Sequence, residues 1–218
     1  MAAAIAERSS RELGRPTIIG RSSSHFTRVA RLFARELEVE HDFEVVTDLL
    51  SCDPGDYGGN PALRIPILRA PTGVWFGALN ICRELARRSA RDRAVVWPED
   101  LTEPLLANAQ ELTLGAMATE VTLIMAKLAQ PGDDGVALRK ARQSLSNTLS
   151  WLDQNAREIV GQLPAERDLS TLEVTLYCLV THLRFRQVLP MDPYVELDAF
   201  CVGFGGRSSA RETEYRFD

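Results

Sequence analysis

The sequence predicts two parts, an α/β first half of about ninety residues and an all-helical second half of about 120. Three observations carry that division. Before Arg93, short β-type runs such as Ile18-Ile19, Phe43-Val46 and Val74-Trp75-Phe76 are interleaved with two stretches of helical apolar spacing. After Leu101 the apolar spacing is helical only. Between them lies Asn60–Leu85, where a proline-led strand, a Pro71-Thr72-Gly73 turn, a second strand and a helix follow in order.

Bulk composition narrows the function classes. The chain has 218 residues, 45% hydrophobic and 25% charged, as in ordinary globular proteins. Its net charge of -5 and pI near 5.4 argue against nucleic acid as a partner, since phosphate binding wants a basic face. No apolar run approaches the length expected of a membrane span, so no membrane partner is expected. The four cysteines, Cys52, Cys82, Cys178 and Cys201, form no CxxC pair and read as free thiols of a reducing, cytoplasmic setting. The three histidines, His25, His41 and His182, show no metal-ligand spacing.

Taken in order, residues 1-15 lack the apolar core of a secretory signal and are expected to be a flexible extension. Pro16–Gly20 reads as a strand, Ser22–Ser24 as a turn offering an N-cap, and Phe26–Leu37 as a helix. His41–Val46 is a second strand, and Leu49–Ala62, rich in Gly, Pro and Asp, an irregular connection. Pro66 at the start of the next strand needs an edge or a junction, where a cis bond is affordable at about 0.5–1 kcal/mol. The Arg-rich run from Arg83 to Arg93 reads as a solvated helix face and linker. Helices are then expected over Thr102–Gln130, Val136–Leu163, Val174–Phe185 and Pro193–Phe204. The third is led by a Ser170–Glu173 capping box and the last ended by Gly205-Gly206.

Four segments in this order resemble the cytosolic glutathione S-transferases, bacterial-type. Ile18–Val29 is similar to that family's first strand, serine-bearing turn and first helix. Asn60-Pro61 with Arg64-Ile65-Pro66-Ile67-Leu68 resembles its cis-proline segment, and Ile81–Leu85 the helix that follows. The capped helix at Ser170 and the ending Phe204–Ala210 resemble its C-terminal elements. The resemblance spans Pro16 to about Thr213. It implies an α/β thioredoxin-like N-terminal domain over 16-92, which would bind glutathione, and an all-α helical domain over 101-218. It also implies a homodimer and a transferase of detoxification type, with glutathione as co-substrate and no bound cofactor. The partner substrate would be a small hydrophobic electrophile, held between the domains.

The resemblance places the backbone of Ile65, before Pro66, against the cysteinyl part of glutathione, and Ser24 by its sulfur, with Ser22 and Ser23 as alternatives. A free thiol with pKa near 8.5 is only about 3% ionised at pH 7, and lowering that value by about two raises the fraction to roughly 75%. A hydroxyl donor at a helix N-terminus supplies such stabilisation. Ser24 therefore reads as a plain cap or as cap and catalyst together; His25 reads as a surface residue or as a group approaching the sulfur, and Tyr57 as an exposed loop tyrosine or a plug into a partner subunit. The departure lies at Gly77-Ala78, where the family usually carries Glu-Ser to grip the γ-glutamyl group. Only backbone N–H groups at the helix start remain for the carboxylate, so glutathione binding is expected to be at least about tenfold weaker. That departure keeps a second reading open, a non-catalytic binding or scaffold protein of the same fold. Met117, His182 and Arg186 are the candidates for a second-substrate pocket, against an ordinary role in helix packing.

Overall fold

The computed structural model describes residues 14–129 and 135–218. Residues 1–13 of the expected extension, and the Pro131–Asp134 connection, lie outside the described residues. The chain separates into two compact units. The first runs to Arg93 and takes in Arg207–Asp218; the second is Ala94–Gly206. Residues 207–218, which the sequence reading gave to the helical domain, thus group with the first unit.

The first unit holds β1 (Thr17–Gly20), α1 (His25–Glu36), β2 (Asp42–Val45), β3 (Ile67–Ala70), β4 (Gly73–Phe76), α2 (Ala78–Arg88) and the short α7 (Ser208–Glu212). Its sheet has the order β2-β1-β3-β4. β1 runs parallel to β2, with Ile18 opposite Phe43, which demands the α1 crossover. β3 is antiparallel to β1 and to β4, with Ile67 opposite Ile19 and Phe76. Ile18 and Ile19 are both buried although neighbours in a strand point to opposite faces, so both faces of β1 are covered. Ile19 packs with Val46, Ile67 and Tyr57 on one face. The buried stripes Val29-Leu32-Phe33 of α1 and Ile81-Leu85 of α2 mark the apolar sides of those two helices, which pack on each other and on the sheet. Tyr57 corrects an expectation. It sits in a short 3-10 helix, Pro54–Tyr57, and is a core residue rather than an exposed loop tyrosine.

The second unit holds β5 (Val95–Val96), α3 (Pro104–Ala129), α4 (Val136–Gln162), β6 (Leu169–Ser170), α5 (Thr171–Arg186) and α6 (Val195–Gly205). The two-residue strands pair in parallel, Val95 with Leu169, and are too short to have been visible as a pattern. α5 is buried from Thr171 to Val180 without interruption and forms the centre of this unit. The expected capping box at its start does not form. Ser170 holds the N-cap position without a side-chain cap bond, and Glu173 instead grips Arg167 with two bonds of 2.6 and 2.7 Å. The N–H groups of Glu196 and Leu197, at the start of α6, are capped from another helix, both donating to Asp153 Oδ1 at 2.9 Å.

α3 carries polar residues into the interior beside the apolar Leu106, Met117 and Leu123. Gln110, Thr113 and Glu120 lie among its buried residues, whereas Val121 and Leu128 are exposed. Inside, Gln110 donates to Thr175 of α5 at 3.1 Å, and Glu120 pairs with His182 Nδ1 at 2.7 Å. With 26 residues and a mean hydropathy of 1.4 over its most apolar window, α3 has the length and composition of a membrane span, which the sequence reading had not expected.

Candidate functional site

The β1–α1 turn is built by short-range bonds. Gly20 is required where the strand meets the helix, because a Cβ there would run into the Thr27 side chain. Thr27 Oγ1 accepts from Arg21 N–H at 3.4 Å, and the Ser24 N–H donates to the Arg21 carbonyl at 3.1 Å. Ser24 is the N-cap of α1, its Oγ accepting from the Thr27 N–H at 3.3 Å. A hydroxyl that accepts one bond still has its own proton to donate, so the cap leaves Ser24 able to hydrogen-bond a sulfur. Ser22 is 2% exposed, and its hydroxyl has no hydrogen-bond partner among the described residues; Ser23 is half-buried. His25 is buried, not on the surface, with its ring edge-on to Phe26 at 4.6 Å between centroids.

The Ile65–Pro66 peptide is cis. Asn60 fixes the loop leading to it. At 4% exposure, its Nδ2 donates to the Arg64 carbonyl at 2.6 Å, and its Oδ1 accepts from the Ala62 N–H at 3.0 Å. One side chain thereby sets the path of the residues just ahead of Ile65. Pro66 is buried, and Ile67, which follows, pairs with Ile19 of β1.

The turn from β4 into α2 is of a different kind. Gly77 is the N-cap, with φ 83° and ψ 134°, and no side chain caps the helix. That backbone conformation belongs to glycine, so Gly77 sets the course of the turn by its backbone alone. A Cβ on Gly77 would meet nothing within 4 Å, so the restriction is conformational rather than steric. Ala78 is buried at the first position of the helix, and Asn80 is exposed, its amide donating to the Phe76 carbonyl at 3.3 Å. Behind the turn, α2 is anchored by the buried pair of Glu84 and Arg88 at 2.8 Å, with Thr72 Oγ1 donating to Glu84 at 3.0 Å. Burial pushes the Glu84 carboxyl up, but bonds from Thr72, Arg87 and Arg88 together outweigh it and hold it below the ordinary range.

Ser24, Ile65-Pro66 and Gly77-Ala78 thus all fall in the first unit, at the ends of β1, β3 and β4. The three second-substrate candidates fall in the second unit. Met117 on α3 and His182 on α5 are buried, and Arg186 closes α5 in a half-buried position. Asn60, Thr27 and Glu84 organise the site without having been assigned a part in it from sequence. Asn60 was visible as a motif residue; Thr27 and Glu84 carried no signal beyond a helix position.

No family model matches the chain, and no curated protein matches it by sequence. Solved structures do. A glutathione S-transferase from Methylobacillus flagellatus, with glutathione bound, is 20% identical with a TM-score of 0.71, over 92% of this chain and 100% of that one. A glutathione transferase family member from Pseudomonas fluorescens, also with bound glutathione, is 16% identical with a TM-score of 0.73, over 92% and 99%. A Tau class glutathione S-transferase from mango is 14% identical with a TM-score of 0.68, over 93% of each chain. The chain therefore has the glutathione S-transferase fold, a thioredoxin-like N-terminal domain followed by an all-helical one.

Proposed function

We propose that the protein is a glutathione transferase that joins the glutathione sulfur to a small hydrophobic electrophile. The observation that carries this reading is a single sheet presenting a cis Ile65–Pro66 junction and a helix whose N-cap, Ser24, keeps a proton to donate. The bound thiol loses its proton to solvent, with Ser24 donating a hydrogen bond to the thiolate and the N-terminal end of α1 favouring its charge. The sulfur lone pair then forms a carbon–sulfur bond to the electrophile. In a substitution the leaving group departs with its bonding electrons; in an addition the resulting anion takes a proton from solvent. Glutathione is the co-substrate, and the scheme needs no bound cofactor. Met117, His182 and Arg186 are the candidates for shaping the electrophile's pocket.

The protein is proposed to work as a cytoplasmic homodimer without nucleic-acid or membrane partners. The exposed Val121 and Leu128 on α3 support a subunit contact, because an apolar face outside a folded unit wants a cover. Sedimentation of the purified protein tests this, a monomer at all concentrations being the contrary result.

Gly77-Ala78 favours a second reading, a non-catalytic binding or scaffold protein of this fold. Steady-state turnover with glutathione and a panel of electrophiles separates the two. An enzyme gives rates above the uncatalysed background that fall in Ser24→Ala, whereas a scaffold gives background rates in both.

A further inference from the structure

The segment after α7 returns along α1 and is held there by a buried arginine. Arg28 of α1 donates to the Ala210 carbonyl at 2.9 Å and to Thr213 Oγ1 at 3.4 Å, and its guanidinium lies 4.3 Å from the centre of the Tyr215 ring. The segment thereby delivers Asp218 to the turn ahead of α1. The Ser22 N–H donates to Asp218 Oδ2 at 2.7 Å, and Arg21 Nε stands 4.0 Å from the same oxygen. The Asp218 side chain is only 10% exposed. Two further donors of this turn, Ser22 Oγ and Arg21 Nε, are buried with no hydrogen-bond partner among the described residues. The turn is thus rich in donors, leads into the positive end of a 12-residue helix, and holds a carboxylate of the chain itself.

We propose that Asp218 is an internal anion that keeps the Arg21–Ser24 turn in a resting state, opposing ionisation of a thiol bound at Ser24. The inference rests on the reading of Ser24 as the thiol's partner. Ser22, which binds the carboxylate, and Ser24, which would bind the sulfur, are two residues apart, so two negative charges would share one turn with the cations Arg21 and, on α1, Arg31, both of which also act on Asp218. A unit charge about 10 Å away, in an effective dielectric of about 20, alters the thiolate-to-thiol ratio of a neighbouring group by about tenfold. Displacing Asp218 from Ser22 would release both the charge and the N–H donor.

Two variants test this. Asp218→Asn removes the charge but keeps an acceptor for the Ser22 N–H; Asp218→Ala removes the contact. Ultraviolet absorbance of the bound glutathione thiolate, followed against pH, should show a ratio about tenfold higher in both. Calorimetry should show glutathione bound about tenfold more tightly by Asp218→Ala. Glutathione binding with no change in either variant would make Asp218 a structural staple and overturn the inference while leaving the glutathione reading intact. A lower thiolate ratio in Asp218→Asn would make it a proton acceptor and also overturn it. Failure of the original protein and both variants to bind glutathione would remove the glutathione reading, and this inference with it.

Discussion

The loop before β3 and the turn after β4 lead into and out of the same hairpin, yet they are held in opposite ways. The first is organised by a buried side chain, Asn60, which bonds both the Ala62 N–H and the Arg64 carbonyl and leaves Ile65 in one position ahead of a cis proline. The second has no side-chain cap and adopts a conformation that glycine alone takes readily. In the proposed glutathione cradle a side chain anchors one half and backbone alone forms the other. A buried side chain fixes one turn in a single path, whereas a glycine turn is fixed by its backbone conformation alone.

Ways to break this contrast rank by size. Glu84→Ala is expected to be the most damaging, about 3–5 kcal/mol, because it leaves Arg88 buried without its carboxylate and loosens the helix that the glycine turn begins. Chemical denaturation measures it. The same carboxylate has a signed pH effect. Its folded pKa is held below the ordinary value of about 4.3, so its contribution is complete above that pH and is lost as pH falls through the lower folded value. Glu84→Gln should therefore flatten the acid limb of the stability curve, and an unchanged limb would contradict the assignment.

Asn60→Ala is expected to cost about 1–3 kcal/mol by stranding partners at Ala62 and Arg64. It should also weaken glutathione binding, since Ile65 loses its fixed approach. Gly77→Glu should cost a similar amount, about 1–3 kcal/mol, for backbone strain alone. A neutral result there would show that the turn relaxes freely and would erase the contrast with Asn60. Ser24→Ala should cost least in stability, about 0.5–2 kcal/mol for the lost cap, while turnover falls by far more than the stability change accounts for. Thermal melts and initial rates measured together separate the two effects.

Much of this architecture was legible because it is written in local patterns. The strand-turn-helix at Ile18–Val29, the proline at 66 and the helical spacing after Leu101 each report short-range physics, and the structure has strands and helices at those places. The failures have a common cause. Tyr57 and His25 were read from their neighbours in sequence, but their burial is decided by residues distant in the chain, such as Ile19 and Ile67 around Tyr57. The Ser170–Glu173 pattern fits a capping box, yet Arg167 offers Glu173 a bidentate ion pair and wins it. α3 buries Gln110, Thr113 and Glu120 beside Leu106 and Met117 and leaves Val121 and Leu128 exposed, so its spacing does not mark a single inside face. Asp218 reaches Ser22 across 196 residues, a contact that no local pattern announces.

On the proposed function, the cradle takes glutathione with only its Asn60-supported half anchored by a side chain. Calorimetric titration with reduced glutathione, on the protein and on Ala78→Ser, tests it most directly. Ala78 opens α2, so a serine there is compatible with the helix start and adds a hydroxyl for the γ-glutamyl carboxylate. Saturable binding in the low millimolar range, about -4 kcal/mol, is expected, tightened about tenfold or more by the serine. No heat from either protein at about 10 mM would contradict it.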